Sequence, residues 1–439
     1  MFWWIYNVVF AVGFALMAPY YLWRMWRRGG YAKSFSQRFG IYPDVTRARL
    51  KARRRLWVHA VSVGEVYVAL RFMELYREEH PDIAFALTTN TSTGHGVAEA
   101  RLHDDDVLLY FPVDLPCFVN RVLDAIDPLA LVLTECELWP NLVRVADRRG
   151  IPLVLLNGRV SDGSYRGYRF LKRLFGMLLD RFDLLLMQGQ RDADRIVELG
   201  APVRMTHTLG TAKYDVATRD SSRIALIRNL LDTAGIPEGV PLLVGGSTWP
   251  GEERALLEIY QALAPAVAGL KLVLVPRHFE RAAEVEQDLR ALGVNYVKRS
   301  ELQPGAPCEH PADVVLLDST GELVGLYAHA SLIFVGKSLF DRGGQNIIEP
   351  ALFGKPVLFG PHMENFPVVV NDFLSADAAI QVADQADLQS QLLTLFEQPA
   401  RAQTIGERAE AVVLSKRGCL ARSVALIEAV RLYDNGSKK

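Results

Sequence analysis

The chain has 439 residues, with 49 Lys and Arg against 50 Asp and Glu, a formal charge of −1 and 50% hydrophobic residues. That length predicts two or three domains with full-sized cores, and 23% charged with 10% aromatic residues exclude wholesale disorder. The balanced charge argues against a dedicated nucleic-acid binder, and four dispersed cysteines (Cys117, Cys136, Cys308, Cys419) without a CxxC pair exclude a disulfide scaffold or zinc ribbon.

From Met1 to Trp23 no side chain is charged, a run long enough to cross a hydrocarbon core of about 30 Å. Trp3, Trp4, Tyr20, Tyr21, Trp23 and Trp26 cluster near its ends, where aromatic rings favour the membrane interface. Asn7, Gly13 and Pro19 are tolerated there rather than favoured. The run reads as an uncleaved anchor over residues 1–30, with an interfacial (monotopic) helix, a core helix and a cleaved signal as alternatives. No Lys or Arg precedes it and no small-x-small cleavage site follows it, which weighs against the signal.

A basic segment follows. Arg24, Arg27, Arg28, Lys33, Arg38, Arg47, Arg49, Lys51, Arg53, Arg54 and Arg55 face only Asp44. By the positive-inside rule this side and everything after it is cytoplasmic. The cations either set topology alone or also attract anionic lipid.

From Leu56 onward, short apolar runs alternate with helical stretches. The first half has runs beginning at Leu56, Ile83, Val107, Leu129, Leu153 and Leu184, with a weaker one at Val203. The second has runs at Leu242, Leu270, Val314, Leu332 and Val357. Near-continuous apolar strands alternating with helices predict parallel sheets covered on both faces, an α/β fold of two Rossmann-like halves. The expected domains are 31–220 and 221–400, with the halves meeting in the polar stretch 214–239 and a helical tail over 401–439.

Ligands of such sheets bind beyond the carboxyl ends of the strands, and that is where the polar motifs fall. After the first strand, Ser62-Val63-Gly64-Glu65 opens a helix expected to start near Val66, so Glu65 is either an N-terminal capping acid or a general base. The hydroxyl-rich run Thr88–Gly94 caps a helix or binds a polyol or phosphate. After the fourth strand, Glu135 and Glu137 lie two residues apart, and acids there favour function. Asn157-Gly158-Arg159 follows the fifth. In the second half Gly245-Gly246-Ser247-Thr248, Pro276-Arg277-His278, Gly336-Lys337-Ser338 and Gly343–Pro350 follow successive strands, and glycine turns of this kind suit phosphate. Asn346 and Glu349 share a helix face, an arrangement suited to a ribose diol.

Other matches fail. Val335-Gly336-Lys337-Ser338 lacks the first glycine of a Walker A loop, which falls at Ser331, and no GxGxxG opens either half. Asp104-Asp105-Asp106 precedes a strand and reads as a solvated loop, with His103 beside it no metal ligand.

Taken together, HAVSVGE (59–65), TECELWPN (134–141), NGRVSDGS (157–164), GGSTWPGEE (245–253), PRHFER (276–281) and GGQNIIEPALFGKPVLFGP (343–361) resemble the lipid A Kdo transferases, the 3-deoxy-D-manno-octulosonic acid transferases of Gram-negative inner membranes. The resemblance runs in family order from the anchor to about Pro361. It implies a GT-B fold: two Rossmann-like domains facing a cleft, an N-terminal anchor, and a C-terminal helix crossing back to the first domain. It implies inverting transfer of Kdo from CMP-Kdo to a lipid A precursor, on the cytoplasmic side of the inner membrane, with no metal, cofactor or nucleic acid. Carried over by motif, Glu65 is the general base, and Glu135 or Glu137 the second essential acid near Ser62, Gly64, Arg159 and Lys213 on the acceptor side. Arg277, between Pro276 and His278, meets the CMP phosphate or Kdo carboxylate. Ser247, Thr248, Gly336, Lys337 and Ser338 line the phosphate, and Asn346 with Glu349 holds the nucleotide. The chain departs from the family at Trp249 and Gln345, usually His, and at Thr211, usually Asn. The alternatives are another membrane-surface GT-B enzyme using a UDP-sugar, and a membrane-anchored nucleotide-binding protein without turnover.

Overall fold

A computed structural model of the chain describes residues 2–28, 32–303, 308 and 311–437. It contains two compact units, Met1–Val216 joined by Gly418–Lys439, and Ala217–Arg417.

The first unit carries a seven-stranded parallel sheet of β1 (Leu56–Ala60), β2 (Phe85–Thr89), β3 (Val107–Tyr110), β4 (Ala130–Thr134), β5 (Leu153–Gly158), β6 (Leu184–Met187) and β7 (Thr206–Thr208). Their order is β3-β2-β1-β4-β5-β6-β7, so the direction of winding reverses between β1 and β4. The second unit holds β8 (Leu242–Thr248), β9 (Lys271–Pro276), β10 (Tyr296–Lys298), β11 (Val314–Leu316), β12 (Leu332–Val335), β13 (Val357–Phe359) and β14 (Ile380–Gln381). Their order is β10-β11-β9-β8-β12-β13-β14, with the reversal between β8 and β12. The central strands are buried on both faces, as their near-continuous apolar runs require. β10 and β14 carry no apolar run and were not expected from the sequence.

Six helices matter to the sites: α1 (Phe2–Arg28), α2 (Val63–Glu79), α3 (Pro140–Arg148), α4 (Glu252–Leu263), α5 (Pro399–Ser415) and α6 (Cys419–Ser437). α1 is long and apolar enough to cross a membrane by length and composition. α2 begins three residues before the expected start, because Ser62 caps it. The units change over at Ala217 rather than 221. Tyr214 is buried in the first, whereas the Arg219 guanidinium bonds the Leu352 carbonyl and lies 2.5 Å from Glu410 in the second. The C-terminal changeover falls at Gly418, not 401, so α5 belongs to the second unit and α6 to the first. Asp215 accepts the Gly418 and Leu420 amides, capping α6, and Leu420, Val424 and Ile427 join the core formed by α2 and the first sheet.

The basic segment is not a free cationic patch. The Arg38 guanidinium donates to the Asn90 carbonyl, Arg47 pairs with Asp44, Arg49 with backbone carbonyls at 104 and 106, Arg53 with Asp105, and Arg54 with Asp127. Arg55 is buried and donates to the Arg53 carbonyl. Lys51 is exposed; the side chains of Arg24, Arg27, Arg28 and Lys33 lie outside the described residues. Nor is Asp104–Asp106 uniformly solvated: Asp106 is buried, both its oxygens accepting from Arg77 Nη2 and Oδ1 also accepting the Phe85 amide.

Candidate active site

In the first unit the polar residues converge at the carboxyl ends of β1, β4 and β5. Ser62 and Glu65 form a reciprocal capping box: the Ser62 Oγ accepts the Glu65 amide, and Glu65 Oε1 accepts the Ser62 amide at 3.2 Å. Glu65 Oε2 accepts the Val61 amide at 3.1 Å and lies 2.9 Å from the Thr134 Oγ1 at the end of β4. That hydroxyl is also 2.8 Å from the His59 carbonyl, so its single proton serves one of them at a time. A carboxylate has about four lone-pair directions. Two are filled by fixed amides, leaving Glu65 oriented yet able to accept another proton donor.

Glu135 and Glu137 follow on the loop between β4 and α3. Glu135 is half-buried, and burial raises its carboxyl above the ordinary range, as does the nearby Glu65 charge; Lys213 and Arg159 pull it back down. Lys213 is itself pushed down by burial. The charges of Glu65, Glu137, Arg159 and Lys213 therefore all act on Glu135. Glu137 accepts the Trp139 Nε1 at 2.8 Å and lies 3.8 Å from Nε2 of the buried His59. That nitrogen has no hydrogen-bond partner among the described residues.

Asn157 is a positioning residue that the motif reading passed over. Its Oδ1 accepts the Ala212 amide at 2.9 Å, tying the end of β5 to the loop that presents Lys213. It sits at φ 57, and Glu135 at φ 53, both in the left-handed region that costs a non-glycine residue about 1–3 kcal/mol. Ser247 (φ 54) and Lys337 (φ 55) repeat this at the ends of β8 and β12. Strained residues at four strand ends mark where the surroundings over-determine the backbone.

The second unit's motifs are more internally satisfied than expected. β8 runs through Thr248, so Gly245 and Gly246 are strand residues rather than a phosphate turn. A Cβ on Gly246 would stand 2.4 Å from the Tyr327 hydroxyl. The amides of Lys337, Ser338 and Leu339 all donate to the buried Glu252, at 2.7, 2.9 and 2.9 Å, and Trp249 supplies a fourth at 2.9 Å. That nest is filled by the protein's own carboxylate, so it does not offer these amides to a phosphate. Gly336 is required beside it, since a Cβ there would stand 2.6 Å from Glu252 Oε2. Ser338 is fully enclosed, its Oγ donating to the Val335 carbonyl and accepting the Gly360 amide. Thr248 is enclosed too, donating to Glu253, which Arg281 holds. Both hydroxyls brace the loops instead of lining a site.

What remains accessible is narrower. Pro276 ends β9 and is buried, while Arg277 and His278 beyond it are exposed. The His278 ring lies 5.3 Å from Trp249, and the Lys337 ammonium sits 4.4 Å over the same indole. Asn346 and Glu349 bond each other, Nδ2 to Oε1 at 3.1 Å. Burial raises the Glu349 carboxyl, and the Arg277 charge opposes it.

Two Rossmann-like parallel-sheet units, each with its polar residues at the carboxyl ends of the central strands, are the architecture of the GT-B fold. The HepE protein of Anabaena, solved with UDP and glucose, has this fold: TM-score 0.55 at 14% identity, covering 86% of this chain and 99% of that one. Residues 33–216 match the family model for 3-deoxy-D-manno-octulosonic-acid transferase (kdotransferase). The Haemophilus influenzae enzyme of that name is 30% identical over 401 residues, 91% of each chain. The Bordetella pertussis one is 33% identical over 435 residues, 96% of this chain and 98% of that one. The chain belongs to the 3-deoxy-D-manno-octulosonic acid (Kdo) transferase family and is a glycosyltransferase.

Proposed function

We propose that this protein transfers Kdo from CMP-Kdo to a lipid A precursor, with inversion and without a metal, at the cytoplasmic face of the inner membrane. The first unit takes the acceptor and the second the donor. Glu65 accepts the proton of the acceptor hydroxyl, whose oxygen forms the new bond to the anomeric carbon of Kdo as the bond to the CMP phosphate breaks. The electron pair leaves with CMP, and a single displacement inverts the centre. Glu135, Arg159 and Lys213 set the charge around the acceptor hydroxyl. Arg277 and Lys337 meet the phosphate or the Kdo carboxylate, while Asn346 and Glu349 contact the nucleotide.

The observation that carries the reading is the Glu65 carboxylate, oriented by two amides at the end of β1 and close enough to a second acid, Glu135, for its charge to act there alongside those of Arg159 and Lys213. A general base needs hydrogen-bond reach to the proton it takes and a spare lone pair, and Glu65 has the latter. The test is nucleotide selectivity: CMP should raise the melting temperature and UDP should not. Stabilisation by UDP alone would overturn the donor assignment.

A further inference from the structure

His59 is fully buried in the middle of the first sheet, on β1 between Thr88 of β2 and Leu133 of β4. Its ring stacks on Phe111, just after β3, with 3.8 Å between centroids. Nδ1 is 3.0 Å from the Thr88 hydroxyl and 3.1 Å from the Thr88 carbonyl. The hydroxyl can donate and the carbonyl can only accept, so Nδ1 is satisfied with or without a proton. Nε2 is different. It is enclosed, has no hydrogen-bond partner among the described residues, and faces Glu137 Oε2 at 3.8 Å. An apolar ring would stack on Phe111 as well, whereas an enclosed ring nitrogen is costly unless a partner completes it.

Glu137 is oriented by the same group of side chains. Its Oε2 accepts the Trp139 Nε1 at 2.8 Å, and the Trp139 ring lies 5.1 Å from Phe111. His59, Phe111, Trp139 and Glu137 thus close a ring of contacts joining β1, the end of β3 and the loop before α3. Glu137 Oε1 has no hydrogen-bond partner among the described residues, and the side chain is 24% exposed. One oxygen is anchored inward and the other is open. With a carboxylate this close, the proton of the neutral ring is favoured on Nε2, while Nδ1 accepts from the Thr88 hydroxyl. An N–H donor then stands opposite the anchored oxygen, and a small rotation of the carboxylate brings the two to hydrogen-bond length.

We propose that His59 is a positioning residue for Glu137: its Nε2–H and the Trp139 Nε1–H together hold Oε2, so that Oε1 is presented to a hydroxyl of the acceptor sugar. A carboxylate with one oxygen fixed by two donors offers the other in a defined direction, and hydrogen bonds to an ionised acceptor are the strong ones. His59 itself touches no substrate. The presentation of Oε1 rests on the proposed acceptor side of the first unit; the contact between His59 and Glu137 does not.

Two variants that both remove the ring separate this role from packing. His59→Gln keeps an amide N–H near the Nε2 position. His59→Asn places its N–H near Nδ1, where Thr88 meets it, and leaves Glu137 without that donor. His59→Asn should raise the acceptor KM by about 10–100-fold, the loss expected for a hydrogen bond to a charged group, with the donor KM unchanged. His59→Gln should recover most of that loss. Equal impairment of the two, or a donor KM that moves with the acceptor KM, would reduce His59 to packing and overturn the proposal. A second readout is independent of the substrates: the melting-temperature losses of His59→Asn and Glu137→Ala should not add in the double variant, because each removes the same contact. Additive losses would overturn the contact itself. Should His59→Asn not fold, nitrogen NMR of histidine-labelled chain decides. Glu137→Ala should move the resonances of one of the nine imidazoles, and an unchanged histidine spectrum would overturn the contact equally. A coupled pair with an unmoved acceptor KM would keep the contact and overturn the presentation of Oε1 to the acceptor.

Discussion

Each unit places a Gly-Glu pair just after its first strand, Gly64-Glu65 after β1 and Gly251-Glu252 after β8, and each carboxylate reaches the end of the strand across the reversal point. Their fates differ. Glu65 meets a side-chain hydroxyl on β4 and two amides from its own turn, so it keeps a free acceptor direction. Glu252 meets three successive amides after β12 plus one from its own turn, so it is saturated. One site on the sheet thus yields a candidate base in one unit and a structural staple in the other. An acid at a strand end is defined less by its position than by what the facing strand donates.

Substitutions can break this contrast. The largest effect should come from Glu65→Gln, which keeps the N3 capping bond, since Gln also serves in a capping box, but cannot take a proton. Turnover should fall by about 10²–10⁴, while stability should fall only by about 1–3 kcal/mol for the Val61 amide that the side-chain nitrogen no longer accepts. A stable variant with unchanged turnover would assign Glu65 to capping alone.

Glu252→Ala should instead act on stability first. Four amides lose their acceptor in a dry site, a loss of about 3 kcal/mol or more in a denaturant titration. Glu252→Gln should fall between it and wild type, with a raised KM for the donor, because an amide nitrogen would face N–H donors.

A smaller effect distinguishes Glu135. Its carboxyl is raised in the fold, so the folded state holds a proton above the pH at which the unfolded chain releases it. Its favourable contribution is therefore present below the ordinary glutamate range and lost as pH rises. Glu135→Gln should gain on wild type as pH rises above the ordinary glutamate range, in paired thermal melts. No pH dependence in the difference would place Glu135 in a solvated setting. The smallest effect is expected for Trp249→Ala, which removes the indole under Lys337 and should raise the donor KM only a few-fold, since such contacts are worth about 0.5–1 kcal/mol.

The central strands were legible in the sequence because a buried parallel strand must be apolar throughout, and the acids beyond them stood out against those runs. β10 and β14 were not, because edge strands of two or three residues bury too little to impose a pattern. Glu65 and Glu135 could be named from the sequence; the action of Arg159 and Lys213 on Glu135 could not, since it depends on strand order. Ser338 and Thr248 were misread for the same reason: a hydroxyl after a strand looks alike in sequence whether it faces a ligand or a carbonyl. The repeated Gly-Glu offset was a usable signal for Glu252. Arg49, Arg53 and Arg54 looked like a lipid-facing collar because their partners, at 104–106 and Asp127, lie about 50–75 residues on.

The most direct measurement is mass spectrometry of a tetraacylated lipid A precursor in membranes after incubation with CMP-Kdo and the wild-type or Glu65→Gln chain. The account predicts discrete Kdo mass steps with wild type and their near-absence with the variant at equal protein. No Kdo step with wild type would contradict the proposed reaction, and equal steps with the variant would contradict the role of Glu65.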